Sequence, residues 1–130
     1  MSLAKLIAHN LYVSTWILKI DDEFNGRGHA SFTIDHVKYV QDLRKKRAEI
    51  TDEVIEKLIE VVQRLLPKKV RIGTPKLYET WQEYLHDFCK VGGVIEAAPS
   101  CLSVKVGSPS VSFFIEPSGE VQVVGSFDRF

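Results

Sequence analysis

Between Val13 and Ile20 the side chains alternate: Trp16, Leu18 and Ile20 fall on one face, and Ile17, Lys19 and Asp21 on the other. That period of two, in a run rich in β-branched and aromatic residues, predicts a strand with one buried side. Ahead of it, Leu3, Leu6, Ile7 and Leu11 have the spacing of a helix closing near His9, with its earlier turns upstream of the chain. After it, the acidic and then glycine-rich run Asp21-Asp22-Glu23-Phe24-Asn25-Gly26-Arg27-Gly28 leads into a second extended stretch, His29 to Ile34.

The period then changes. A helical stretch starts near Asp35, and a second helix follows with Thr51 as its N-cap. Its stripe is Val54, Ile55, Leu58, Ile59, Val62, Leu65 and Leu66, and Pro67 is expected to end it. Val70-Arg71-Ile72 reads as a short strand. Gly73-Thr74-Pro75 precedes a third helix with Leu77, Trp81, Tyr84, Leu85 and Phe88 on one face, stopped by Gly92-Gly93. Val94 to Glu96, Val111 to Ile115 and Glu120 to Val124 are strand-like, and Pro117-Ser118-Gly119 is a hairpin turn between the last two. Strands, then helices, then strands predict an α+β fold, a mainly antiparallel sheet with packed helices, and not a doubly wound parallel sheet.

Composition adds limits. The 130 residues are 45% hydrophobic, enough for a real core, and 17 basic residues balance 17 acidic ones. With no net charge there is no general attraction to nucleic acid or an anionic membrane, so any phosphate chemistry must be local. No apolar run is long enough to span a bilayer and no signal peptide is evident, which predicts a soluble, cytoplasmic chain in which Cys89 and Cys101 stay reduced. The opening Met1-Ser2-Leu3 and an end at Phe130 directly after a strand-like run read as those of an excised fragment.

Several residues could carry chemistry. Lys19, mid-strand among apolar neighbours, either faces solvent or meets an anion; as a compact charge with three donors on a fixed strand it suits a phosphate. Gly26 and Gly28 let backbone N–H groups turn toward phosphate oxygens, and Arg27 between them offers a charge-assisted contact. The run is not a Walker A loop, since no Gly-Lys-Ser/Thr follows, and it lacks the third glycine of a dinucleotide fingerprint. Asp21, Asp22 and Glu23 read as solvating groups, or partners of Arg27, and not as a metal site. Glu96 is either an ordinary surface carboxylate or an acceptor for ribose hydroxyls. His86 and Cys89 lie one helical turn apart with no second ligand pair. The clusters Arg44-Lys45-Lys46-Arg47 and Lys68-Lys69-Val70-Arg71, with acidic residues between them, read as solvated helix faces ahead of an RNA surface. Trp81, Tyr84 and Phe88 read as core.

A strand with one lysine, Trp16-Ile17-Leu18-Lys19-Ile20, then Gly26-Arg27-Gly28 and another strand, resembles the lid of the ATP-grasp superfamily. Gly93-Val94-Ile95-Glu96-Ala97-Ala98-Pro99 resembles its hinge strand, and the two last strands the hairpin that opens its second subdomain. The resemblance implies a lid and hinge over residues 1–98 and a truncated second subdomain over 99–130. It implies ATP as ligand, with Lys19, Gly26, Arg27 and Gly28 on the phosphates and Glu96, Ala97 and Ala98 near adenosine. Complete members join a carboxylate to an amine or thiol through an acyl-phosphate. Their magnesium ligands lie well downstream of the hinge and nothing after Asp128 supplies them, so the fragment is expected to be inactive and magnesium to bind only with the missing half. Val40-Gln41 is not followed by the basic pattern of an IQ motif, so calmodulin would need such a motif outside this chain. The alternative expectation is a degenerate ATP-grasp-like module that binds a protein partner and no nucleotide.

Overall fold

The structure is a computed structural model, and it describes residues 2–21, 27–99 and 109–128. In chain order its elements are α1 (Ser2–His9), β1 (Thr15–Ile20), β2 (His29–Thr33), α2 (Lys38–Lys46), α3 (Asp52–Lys69), β3 (Arg71–Ile72), α4 (Trp81–Val91), β4 (Gly93–Ala97), β5 (Pro109–Ile115) and β6 (Val121–Asp128). They fall into two compact units, Met1–Ala98 and Pro99–Phe130. The fold is α+β, as the order of patterns predicts.

In the first unit the sheet order is β3-β2-β1-β4, antiparallel throughout. The alternation in β1 sets its two sides. Trp16, Leu18 and Ile20 are buried with Ala30 and Phe32 of β2, while Thr15, Ile17 and Lys19 stay partly open. The helices close the buried side: Ile7 of α1 and Leu58 of α3 are fully inaccessible, as is Tyr84 of α4. Around Tyr84 stand Tyr78 edge-on at 5.3 Å, Trp81 stacked at 5.7 Å and Phe88 stacked at 6.2 Å. Such aromatic pairs add to the burial of their area. Trp81 and Tyr84 are therefore core, as their spacing predicts, and Phe88 is half-buried against it.

Element ends depart from the sequence pattern where local hydrogen bonds outweigh it. Val13 belongs to a turn, its N–H given to Asn10 at 3.0 Å, so β1 starts at Thr15. The stretch after β2 first turns, Val37 N–H to Ile34 O at 2.9 Å, and α2 begins only at Lys38. Pro67 does not end α3. It lies inside the last turn, where a proline costs a single backbone bond, and the helix runs to Lys69 with Val70 N–H closing on Leu66 O at 2.9 Å. Leu77 and Leu85 are exposed. For Leu77 the reason is the start of α4: Thr80 caps it, its hydroxyl accepting from Glu83 N–H while the Glu83 carboxylate accepts from Thr80 N–H, which leaves Leu77 ahead of the helix.

Between α4 and β4 the two glycines have separate duties. Gly92, at φ +99°, turns the chain out of the helix in a region that L side chains rarely adopt. Gly93 meets β1 so closely that a Cβ would stand 2.3 Å from Lys19 O and 2.5 Å from Phe88 Cε2.

The second unit is a β5–β6 hairpin whose register shifts between Ser112 and Phe113. Gly119, at φ +87°, gives its N–H to Glu116 O at 2.8 Å, the turn expected at Pro117-Ser118-Gly119. β6 extends beyond the expected Val124, to Asp128. Phe113, Phe114, Ile115, Val121, Val123 and Val124 are all exposed.

Candidate functional site

The open side of the four-stranded sheet carries the candidate residues. In the antiparallel registers Ile17 stands opposite both Ser31 and Glu96, and Lys19 opposite both His29 and Val94. Directly opposed residues project from the same face, so Lys19 and Glu96 are diagonal neighbours there. They meet: Lys19 Nζ forms an ion pair with Glu96 Oε1, both side chains remaining more than a third exposed. The sequence leaves each of these residues two readings, and the structure makes them one pair.

The strand that holds Glu96 is at the edge of the sheet, beside β1 alone among the described residues. Ala98 gives its N–H to Thr15 O at 2.9 Å, which commits that group to the sheet. Opposed pairs in an antiparallel ladder alternate between exchanging hydrogen bonds and not. With Ala98 and Glu96 turned to β1, the N–H and C=O of Ile95 and Ala97 turn to the open edge. Of the Glu96-Ala97-Ala98 backbone expected near adenine, only Ala97 offers free main-chain groups at that edge.

The glycine-rich loop is described at its two ends. Asp22, Glu23 and Gly26 lie outside the described residues, Arg27 is exposed and Gly28 is buried. Gly28 O accepts the Ile20 N–H at 3.0 Å and the Tyr84 hydroxyl at 2.9 Å, and that hydroxyl also reaches Leu18 O at 3.1 Å. Burial pushes the Tyr84 phenol pKa well above its ordinary value, so it remains a donor. On the other side Asp21 N–H bonds Gly92 O at 3.2 Å. The loop thus springs from two fixed points. Sequence reasoning placed Tyr84 in the core and missed its hydroxyl, since the acceptors lie far away along the chain.

Other candidates are placed differently. Arg44 is not part of a solvated cluster: its Nε donates to Leu11 O at 2.6 Å and its Nη1 to Asp35 Oδ1 at 2.8 Å. The guanidinium's hydrogen bond holds the Asp35 carboxyl below the usual range. Cys89 is a free, exposed thiol, and Cys101 lies outside the described residues. Among the described residues no three His, Cys, Asp or Glu side chains converge on a possible metal position, and no helix is long and apolar enough to cross a membrane.

The family described as "IQCH-like, ATP-grasp" matches residues 1–130. This chain belongs to the IQCH-like ATP-grasp family. It is 33% identical to IQ motif-containing protein H of Danio rerio over 137 residues, covering 98% of this chain and 13% of that relative. No solved structure matches the chain. Because the chain spans only 13% of its relative, the family membership describes an ATP-grasp-like domain and not a whole protein's activity.

Proposed function

We propose that this IQCH-like ATP-grasp domain grips ATP on the open side of its sheet. Lys19 and the Gly26-Arg27-Gly28 loop take the phosphates, and Glu96 and the Ala97 backbone take the adenosine, with Ala98 anchoring the strand that presents them. The observation that carries this reading is the meeting of Lys19 and Glu96, distant in sequence, between an anchored loop base and an open strand edge. An ion pair this exposed is worth roughly 0–1 kcal/mol, so a phosphate can take Lys19 from Glu96 at little cost and leave the carboxylate for ribose hydroxyls. The residues present fit the nucleotide: a cation on a rigid strand, main-chain groups at an edge and a glycine-rich loop between two fixed ends. When bound, ATP would supply an activated phosphoryl group and magnesium would offset the charge on it, as in complete ATP-grasp proteins. Turnover in the full-length protein, and a carboxylate as its substrate, belong to the same proposal.

An amide NMR titration with ATP and magnesium tests it. Saturable shifts at Lys19, Gly28 and Ala97 that vanish in Lys19→Ala support the nucleotide reading, and their absence from a chain carrying the downstream half sinks it. The rival reading, an interaction module without nucleotide, draws on the exposed apolar β5–β6 hairpin. It requires that partner binding survive Lys19→Ala unchanged while ATP binds neither protein.

A further inference from the structure

The second basic cluster of the sequence, Lys68-Lys69-Val70-Arg71, acquires a shape in the fold. The chain leaves α3 at Lys69 and enters β3 at Arg71 with a single residue between them. Arg71 pairs with Ser31 across β2–β3, which places it on the open face of the sheet beside the hydroxyls of Ser31 and Thr33. Lys68, Lys69, Arg71, His36, Ser31 and Thr33 line a cleft of about 630 Å³, floored in part by Val37 and Leu65. Among the described residues no carboxylate lines it. Among the described residues Lys68, Lys69 and Arg71 form no ion pair, in contrast to Lys19, Arg44 and Lys57.

In a chain with zero net charge, three unpaired cations around one cleft are a local concentration of positive charge. Like charges held together repel, and an anion removes that penalty. The donor set selects among anions. A guanidinium fork, two ammonium groups and two hydroxyls suit the tetrahedral oxygens of phosphate groups, which accept from many directions. Three positive charges call for a ligand with more than one phosphate, and the volume falls in the range of small-ligand pockets. An extended nucleic-acid track is disfavoured, because the exposed surface of α3 also carries Glu53, Glu56 and Glu60.

We propose that the cleft between the end of α3 and strands β2–β3 is a second anion site, taking a small molecule that carries two or more phosphate groups. It is separate from the Lys19–Glu96 pair. Lys19 stands on β1 and Glu96 on β4, two and three strands from β3, roughly 10 and 14 Å at about 4.8 Å per strand.

Calorimetric titration of the full chain with sodium tripolyphosphate, without magnesium, tests the assignment. Saturable one-to-one binding is expected in Lys19→Ala, which removes the phosphate grip proposed at the Lys19 site, and it is weakened at least about tenfold when Lys68→Gln/Arg71→Gln is added in that background. Circular dichroism of the double variant, which alters only exposed side chains, checks that the fold is kept, and Lys69→Glu gives an independent variant with the same expected loss. The assignment is overturned if wild type shows no saturable binding, if Lys19→Ala loses it, or if neither cleft variant weakens it. Tighter binding of a single-stranded RNA dodecamer, lost in the same cleft variants, would replace the small ligand with a nucleic acid and overturn the proposal as stated. Because Lys19→Ala spares this site and abolishes the ATP response, failure of one reading leaves the other standing.

Discussion

Replacing Tyr84 by Phe removes one hydroxyl from the point where the sheet and α4 meet. The oxygen lies 2.9 Å from Gly28 O and 3.1 Å from Leu18 O, so one proton is shared between two acceptors. Gly28 O keeps the Ile20 N–H when the hydroxyl goes, and the loss is that of one net hydrogen bond, about 1 kcal/mol. For a unit the size of Met1–Ala98 this lowers Tm by about 4–8 °C. Tryptophan emission reports the transition, since Trp16 and Trp81 are both buried. A pH series separates the hydroxyl from the ring. Burial raises the phenol pKa above its ordinary 10.0, so the folded protein retains a proton that the unfolded chain releases. Wild-type stability therefore falls as pH rises past about 10, while Tyr84→Phe has no such loss. At pH 11 the wild type has given up about 1.4 kcal/mol relative to the variant, and the order of the two proteins inverts. A gap that stays the same from pH 7 to pH 11, or a loss above about 3 kcal/mol at neutral pH, would refute the reasoning, the latter pointing to repacking of the ring.

Gly93→Ala puts a methyl group against Lys19 O and the Phe88 ring, and the backbone oxygen cannot step aside; a loss of roughly 1–3 kcal/mol is expected in urea unfolding, and an unchanged midpoint would contradict the contact. Arg44→Met removes the guanidinium that lowers the Asp35 pKa. With Asp35 39% exposed their pair is worth under about 1 kcal/mol, a contribution present above the ordinary carboxylate pKa and lost as pH falls through the depressed folded value. Urea midpoints of wild type and variant should therefore converge by that amount between pH 7 and pH 3; parallel profiles would count against it. Glu96→Gln frees Lys19 and, the pair being exposed, should change stability by less than about 1 kcal/mol while shifting the Lys19 Nζ resonance; a large loss of stability would show the pair to be structural.

What the sequence disclosed follows from the range of the forces involved. The alternation through Trp16, Leu18 and Ile20 marks a strand and its buried side because both depend on neighbours two positions apart. It also sets Lys19 on the open face. That Glu96 is its partner depends on the β1–β4 register, which no local pattern carries. Val61, buried in α3, escaped the apolar stripe, and Leu77 was drawn into a helix that the Thr80–Glu83 cap starts later. Arg44 looked like its neighbours Lys45 and Lys46 because composition cannot tell a cation that reaches a partly buried carbonyl from one in water. Lys68, Lys69 and Arg71 become a cleft only when the chain reverses from α3 into β3 beside the hydroxyls of β2.

The Gly92-Gly93 junction has a consequence for how this chain can vary in length. Gly93 is seated against β1 so tightly that β4 cannot slide there, and Glu96 is counted from that fixed point. Side chains of a strand alternate, so inserting or deleting one residue between Gly93 and Glu96 would turn the carboxylate inward and bring Ile95 onto the open side. Loops between elements ordinarily absorb such changes. Here the three steps from Gly93 to Glu96 act as a ruler, and related chains that keep an acidic group beside the strand lysine should keep that spacing even where their helices differ.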